Sequence, residues 1–266
     1  MANIKRKYGL KLSPTHGRQL FKVPAHIASI ADVPDTDYSA EIPYVLNQGE
    51  KGTCVDHACG LAEAHVSFKQ HPELGFQRPS CLFTSYNHRA KIGAIDDDPG
   101  SSGFDYCEEA RINGVPPEAL WPYDLSKWTV QPSPEVYDAG KKNQVIEFQH
   151  IPIISPAIAI NLIRVALFVN KHGLPWGANI FADFEAPEVA ESGCYYKTNG
   201  QDIQGGHETY IVGAYRNGVS IPFLRIQNSW GDWGKAGLNG LRGYVDIAES
   251  VFAQMIIEAN VLTKTE

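Results

Sequence analysis

Hydrophobic positions in this chain follow two rhythms, one in each half. From Gly52 to Lys69, Val55, Ala58, Cys59, Ala62, Val66 and Phe68 recur at helical spacing. That pattern predicts a helix starting at Cys54, with Thr53 as its N-cap and Pro72 ending the run. Residues 79–90 predict a second helix on Leu82, Phe83 and Tyr86, and 104–113 a third, closed by Gly114. Ser155-Pro156 places a capping hydroxyl and a first-turn proline ahead of an apolar helix that continues through Asn170. Beyond it the rhythm shortens, and 175–181, 209–215, 223–227 and 243–247 read as short strands between glycines and turns. Residues 1–40 are polar, with Pro14, Pro24 and Pro34, and predict an extended arm with little regular structure. The Gly/Pro-marked stretch 132–142 separates the halves, giving an arm (1–40), a helical lobe (41–135) and a β-rich lobe (136–266). A helical half beside a β-rich half predicts an α+β protein with a groove between them.

Composition narrows the function. The chain has 266 residues, 43% of them hydrophobic and 20% charged, which is ordinary for a globular protein. A net charge of −7 argues against nucleic acid as a partner. Lys5-Arg6-Lys7 with Lys11 is the one basic cluster and reads as a solvated tail. The most apolar stretch, 151–169, contains Pro152, Pro156, Asn161 and Arg164, so it reads as a buried helix and no membrane is implied. Without an apolar h-region near Met1, the expected location is the cytoplasm, or outside by a route lacking a recognisable signal peptide. Five irregularly spaced cysteines form no disulfide framework and fit a reducing compartment. Nothing in the pattern points to an oligomeric state.

The candidate chemistry sits in three separated segments. Cys54 lies at the start of a helix, where unpaired N–H groups and the helix dipole favour thiolate. A nucleophilic thiol needs a base, the base needs an orienting group, and the developing oxyanion needs a donor. His207 after Gly205-Gly206, Asn228 in Gln227-Asn228-Ser229-Trp230-Gly231, and Gln48 six residues before the cysteine are candidates for those roles. Trp230 and Trp233 are placed to shield a His207–Asn228 hydrogen bond, and the Cys54 sulfur and His207 ring are expected within direct hydrogen-bond reach. His57 reads as a packing residue. No second ligand cluster accompanies His57 and Cys59, so no metal is expected, and no cofactor is needed. Asp96-Asp97-Asp98 lacks calcium-loop spacing and reads as a solvated loop.

Together these segments resemble the papain-like (C1) cysteine peptidases from about Tyr44 to Ile247. Gln48-Gly49 with Cys54, Gly205-Gly206-His207 and Asn228-Ser229-Trp230-Gly231 are similar to the family's glutamine–nucleophile, histidine and asparagine segments. Gly114-Val115 with Glu118 and Trp121-Pro122-Tyr123 looks like a further loop of the family. The resemblance implies a two-lobed fold: a helical left lobe with the cysteine on a helix N-terminus, and a β-barrel-like right lobe carrying histidine and asparagine. It implies peptide hydrolysis through an acyl-enzyme, peptide or protein substrates, and substrate contacts at Gly100, Ser101, Gly206 and Trp230. Departures are Lys51 where a disulfide cysteine is usual, Val55 for an aromatic, Glu208-Thr209 for small apolar residues, and an altered 232–241 loop. Fewer than 50 residues precede Gln48, which is similar to the prokaryotic-type branch. Two other readings use the same residues: acyl transfer to an amine, and a catalytically silent binding module. The arm is a candidate cover for the groove, with plain structural packing as the alternative.

Overall fold

The computed structural model describes residues 6–14, 19–27, 29–30, 33–144, 147–200 and 202–263. The arm contributes two short strands, β1 (Gln19–Leu20) and β2 (Thr36–Asp37). Four helices follow: α1 (Cys54–Gln70), α2 (Cys81–Lys91), α3 (Gly103–Asn113) and α4 (Pro134–Gly140). Strand β3 (Glu147–His150), helix α5 (Pro156–Asn170) and strand β4 (Leu174–Phe181) open the second half. Helix α6 (Pro187–Ser192) leads to β5 (Cys194–Tyr195), β6 (Ile203–Tyr215), β7 (Phe223–Gln227), β8 (Lys235–Ala236) and β9 (Arg242–Ala248). Helix α7 (Glu249–Met255) turns directly into β10 (Ile256–Thr263).

Among the described residues the strands form one mainly antiparallel sheet in the order β1-β3-β10-β4-β6-β7-β9-β5, with β2 on β6 and β8 on β9. Local chemistry explains several boundaries. Ser102 and Asp105 form a reciprocal capping box at the start of α3. Ser155 Oγ accepts the Ile158 N–H at the start of α5. Each such cap stabilises its helix by about 1 kcal/mol. Thr53 departs from expectation. It occupies the N-cap position of α1 without capping it, because its hydroxyl bonds the Tyr123 hydroxyl at 2.7 Å.

Helix α1 is the centre of the molecule. It packs on α2 and α3 on one side and on β4, β6 and β10 on the other. Every residue from Cys54 to Val66 is therefore buried, polar ones included. Burying unpaired polar groups costs a few kcal/mol each, and the elements around α1 supply partners for its polar side chains. Asp56 accepts from Thr84 at 2.7 Å, Glu63 from Tyr106 at 2.8 Å, and His65 pairs with Glu41 and with Tyr210, each at 2.9 Å. The opposite face of the sheet carries the largest core, where α5 packs over β6 and β10, α7 covers β4, and Trp176 stacks on Phe252 at 4.0 Å. Arg225 on β7 ties that sheet together by ion pairs to Asp246 on β9 and Asp37 on β2, both at 2.7 Å.

Candidate active site

Two lobes meet at the N-terminus of α1. Cys54 is its first residue and is fully buried. His207 and Glu208 lie on β6, which packs against α1. Asn228 follows the end of β7, the strand that pairs with β6. The Asn228 Oδ1 and His207 Nε2 are 2.9 Å apart, a bond that fixes the ring. Trp230 stacks on the His207 ring at 4.9 Å, and Trp233 meets Trp230 edge-on, so the bond is shielded from water.

Gln48 is held by three bonds. Its Oε1 accepts from Ser229 Oγ at 2.6 Å, and its Nε2 donates to the Lys51 carbonyl at 2.8 Å and the Lys7 carbonyl at 3.2 Å. The Tyr123 hydroxyl donates to the Gln48 carbonyl at 3.0 Å, which ties the 121–123 loop to this segment. His57 is a packing residue, buried with Nδ1 2.7 Å from the Thr53 carbonyl.

The arm fills the groove between these residues. The Leu10 N–H donates to Gly206 O at 3.1 Å. Ser101 N–H donates to Gly9 O at 2.9 Å, and Lys11 N–H to Ser101 O at 2.8 Å. At Gly100, with φ +71°, a β-carbon would lie 2.0 Å from the Gly9 carbonyl oxygen. Trp230 carries the Arg6 guanidinium 3.9 Å above its ring centre. Gly100, Ser101, Gly206 and Trp230, the four expected contacts of a bound peptide, thus all face the protein's own chain. The Tyr8 ring meets His207 edge-on at 5.9 Å.

Three expectations change here. The basic cluster is no solvated tail: Arg6 pairs with Glu185 at 3.2 Å and Lys7 with Asp98 at 2.9 Å, while Lys5 lies outside the described residues. Asp98 turns in from its loop to accept the Gly52 N–H at 3.1 Å, so that loop is only partly solvated. The hydrogen bond expected between Cys54 and His207 is absent. His207 Nδ1 has no hydrogen-bond partner among the described residues, and the sulfur lies instead near the backbone of Glu208 and Gly9.

The electrostatics follow from that occlusion. Burial pushes the Cys54 thiol up to about 12, although the Glu208 and Gly9 N–H groups pull the other way. The helix terminus alone does not overcome desolvation. Burial also holds His207 down to about 4, against the opposing effect of its bond to Asn228. Thiol and imidazole are both neutral in this state.

Sequence reasoning passed over Ser229, Gly9 and Glu185. Ser229 adjoins Asn228 in a segment already singled out, and its role emerges only through contact with a residue 181 positions away. A cavity of about 500 Å³ lies at the far end of α1, lined by Leu74, Pro79, Pro116 and Leu120, and takes no part in this site.

No family model matches the chain. A protein of Acanthamoeba polyphaga mimivirus, named as an uncharacterized peptidase C1-like protein, is 31% identical over 199 residues. The match covers 73% of this chain and 62% of that protein, so the chain spans less than two thirds of its relative's length. Xylellain, a cysteine protease from Xylella fastidiosa, superposes with a TM-score of 0.79 at 21% identity, over 98% of this chain and 97% of that one. The bromelain protease of Ananas comosus gives 0.62 at 18% identity, over 87% and 99% of the two chains. The Amb a 11 cysteine protease of ragweed pollen, in its proform, gives 0.63 at 16% identity, over 94% and 71%. By kinship to a peptidase C1-like protein and by its whole architecture, this chain has the papain-like cysteine-protease fold.

Proposed function

We propose that the chain is a cysteine peptidase that hydrolyses peptide bonds through Cys54, His207, Asn228 and Gln48, and that its arm holds the groove closed. One observation carries the reading: the Gln48 amide already donates to a peptide carbonyl, that of Lys7, beside Cys54 and His207. A group that binds a backbone carbonyl there is placed to bind the oxyanion that forms from it.

With the arm displaced, water and substrate enter and the desolvation of Cys54 and His207 is relieved. The thiol proton passes to His207, giving thiolate and imidazolium. The sulfur attacks the scissile carbonyl carbon, and the Gln48 amide and Cys54 N–H take the oxyanion. His207 gives its proton to the departing amine, leaving a thioester. Water, deprotonated by His207, then releases the acid and restores the thiol. Asn228 holds the ring in the tautomer that this exchange needs. Peptides and proteins are the substrates, and no metal or organic cofactor enters the scheme.

The test is Cys54→Ala. Hydrolysis of a fluorogenic peptide and labelling by a peptidyl epoxide are both expected to vanish, and unchanged turnover would refute the assignment. Acyl transfer to an amine uses the same atoms, and product analysis with added amine separates it from hydrolysis.

A further inference from the structure

Arg6 meets three side chains in contacts that the reaction does not require. Its guanidinium carbon lies 3.9 Å from the Trp230 ring centre and 5.9 Å from that of Trp233. Its Nε donates to Glu185 Oε2 at 3.2 Å. The Arg6 side chain is 17% exposed, so the cation is largely withdrawn from water. An aromatic face on one side and a carboxylate on the other form a receptor for a planar cation. Glu185 closes the short helical turn Ala182–Glu185 after β4, and its carboxylate also accepts from the Tyr8 hydroxyl. Both of these partners belong to the arm. Removing the arm would leave a half-exposed carboxylate beside a bare indole, next to His207. The opposite rim repeats the theme, where Lys7 donates to the Asp98 backbone carbonyl at 2.8 Å and pairs with its carboxylate.

We propose that Glu185, Trp230 and Trp233 form a subsite for an arginine side chain of the substrate, and that the groove selects basic peptides. Arg6 occupies this subsite as a tethered stand-in. The identity of the groove rests on the peptidase reading, but the selectivity can be tested without turnover.

The experiment uses the full chain carrying Cys54→Ala, Gly9→Ala and Arg6→Gln, which removes the reaction, lifts the arm by the clash of a β-carbon 1.9 Å from the Gly52 carbonyl oxygen, and removes the tethered guanidinium. Titration calorimetry compares two peptides that differ only by arginine against citrulline, a neutral isostere. The arginine peptide is expected to bind about tenfold more tightly, the scale of a partly desolvated cation on an aromatic face with a charged partner. Adding Glu185→Gln is expected to bring the two affinities together, and raising the salt concentration to narrow the gap. Trp230→Phe, which keeps an aromatic face, is expected to reduce the preference in part, and serves if the glutamate variant does not fold. Equal affinities for the two peptides, no binding of either, or a preference untouched by Glu185→Gln would each overturn the proposal. Because the test variant has no nucleophile, such a result leaves the hydrolysis reading standing, and absence of hydrolysis in the natural chain leaves this one standing.

Discussion

Ser229 donates to the Gln48 side-chain oxygen at 2.6 Å across 181 residues of sequence. The bond joins the segment before α1 to the segment after β7 and settles which way the Gln48 amide faces. With Oε1 taken, the –NH₂ points to the Lys51 and Lys7 carbonyls. Gln48→Ala is therefore expected to lower kcat by about 10²–10³ with little change in KM, the usual effect of losing one oxyanion donor. Ser229→Ala leaves the amide in place but free to rotate, and is expected to cost about tenfold, one hydrogen bond's worth of positioning. Steady-state kinetics on both variants checks the order. A larger loss for Ser229→Ala would mean that the serine has a role of its own.

Gly9 is where the arm is most easily dislodged. A β-carbon at that position would lie 1.9 Å from the Gly52 carbonyl oxygen, far inside contact distance. Gly52 is backbone held by Asp98 and has no flexible end to move aside. Gly9→Ala is expected to lift the arm out of the groove, raise the rate of Cys54 alkylation by iodoacetamide at least about tenfold, and lower the thiol pKa from its buried value. Alkylation no faster than in the natural chain would show that the arm does not control access.

His172 offers a pH test away from the site. It is buried, with Nδ1 2.7 Å from the Gly173 carbonyl, and burial holds it down to about 4. In the unfolded chain it titrates near 6.5, so between those values the unfolded state binds a proton that the folded state does not. Its contribution to stability is complete above pH 6.5 and is lost as pH falls toward 4. His172→Gln is expected to lose less stability over that range than the natural chain, by up to roughly 3 kcal/mol at 1.36 kcal/mol per unit. Denaturant melts at pH 7 and pH 4.5 measure the difference, and parallel curves would contradict it.

Arg225 binds two buried carboxylates from two strands. Arg225→Ala would leave Asp37 and Asp246 facing each other without that cation. A loss of about 3–5 kcal/mol is expected, the cost of breaking a buried ion pair from one side. A denaturant midpoint close to that of the natural chain would show that Lys235, 2.7 Å from Asp246, carries the load alone.

How much of this was legible in the sequence depends on the range of the interactions. The helices over 54–70, 81–91, 103–113 and 156–170 announce themselves through caps and periodicity, because those signals are local. The strand 256–263 left no comparable signal, although it lies between β3 and β4 in the sheet. It follows α7 without a turn, and Glu258 and Asn260 break its apolar run while remaining buried. Helix α1 showed an apolar stripe, yet it is buried all round, since Asp56, Glu63 and His65 find partners on other elements. The candidate residues Cys54, His207, Asn228 and Gln48 were visible because motif spacing marks them. The neutral state of the thiol was not, because it depends on Gly9 lying over the groove, a contact that no local pattern encodes.

The place of β10 in the sheet governs when the molecule can assemble. A ribosome delivers α1 and its cysteine early and the strand between β3 and β4 last of the described elements. Until that strand emerges, the sheet that supports β6 has a gap beside β4. The sheet behind the candidate site is therefore completed only by the last-made of its described strands, a pairing of segments far apart in sequence.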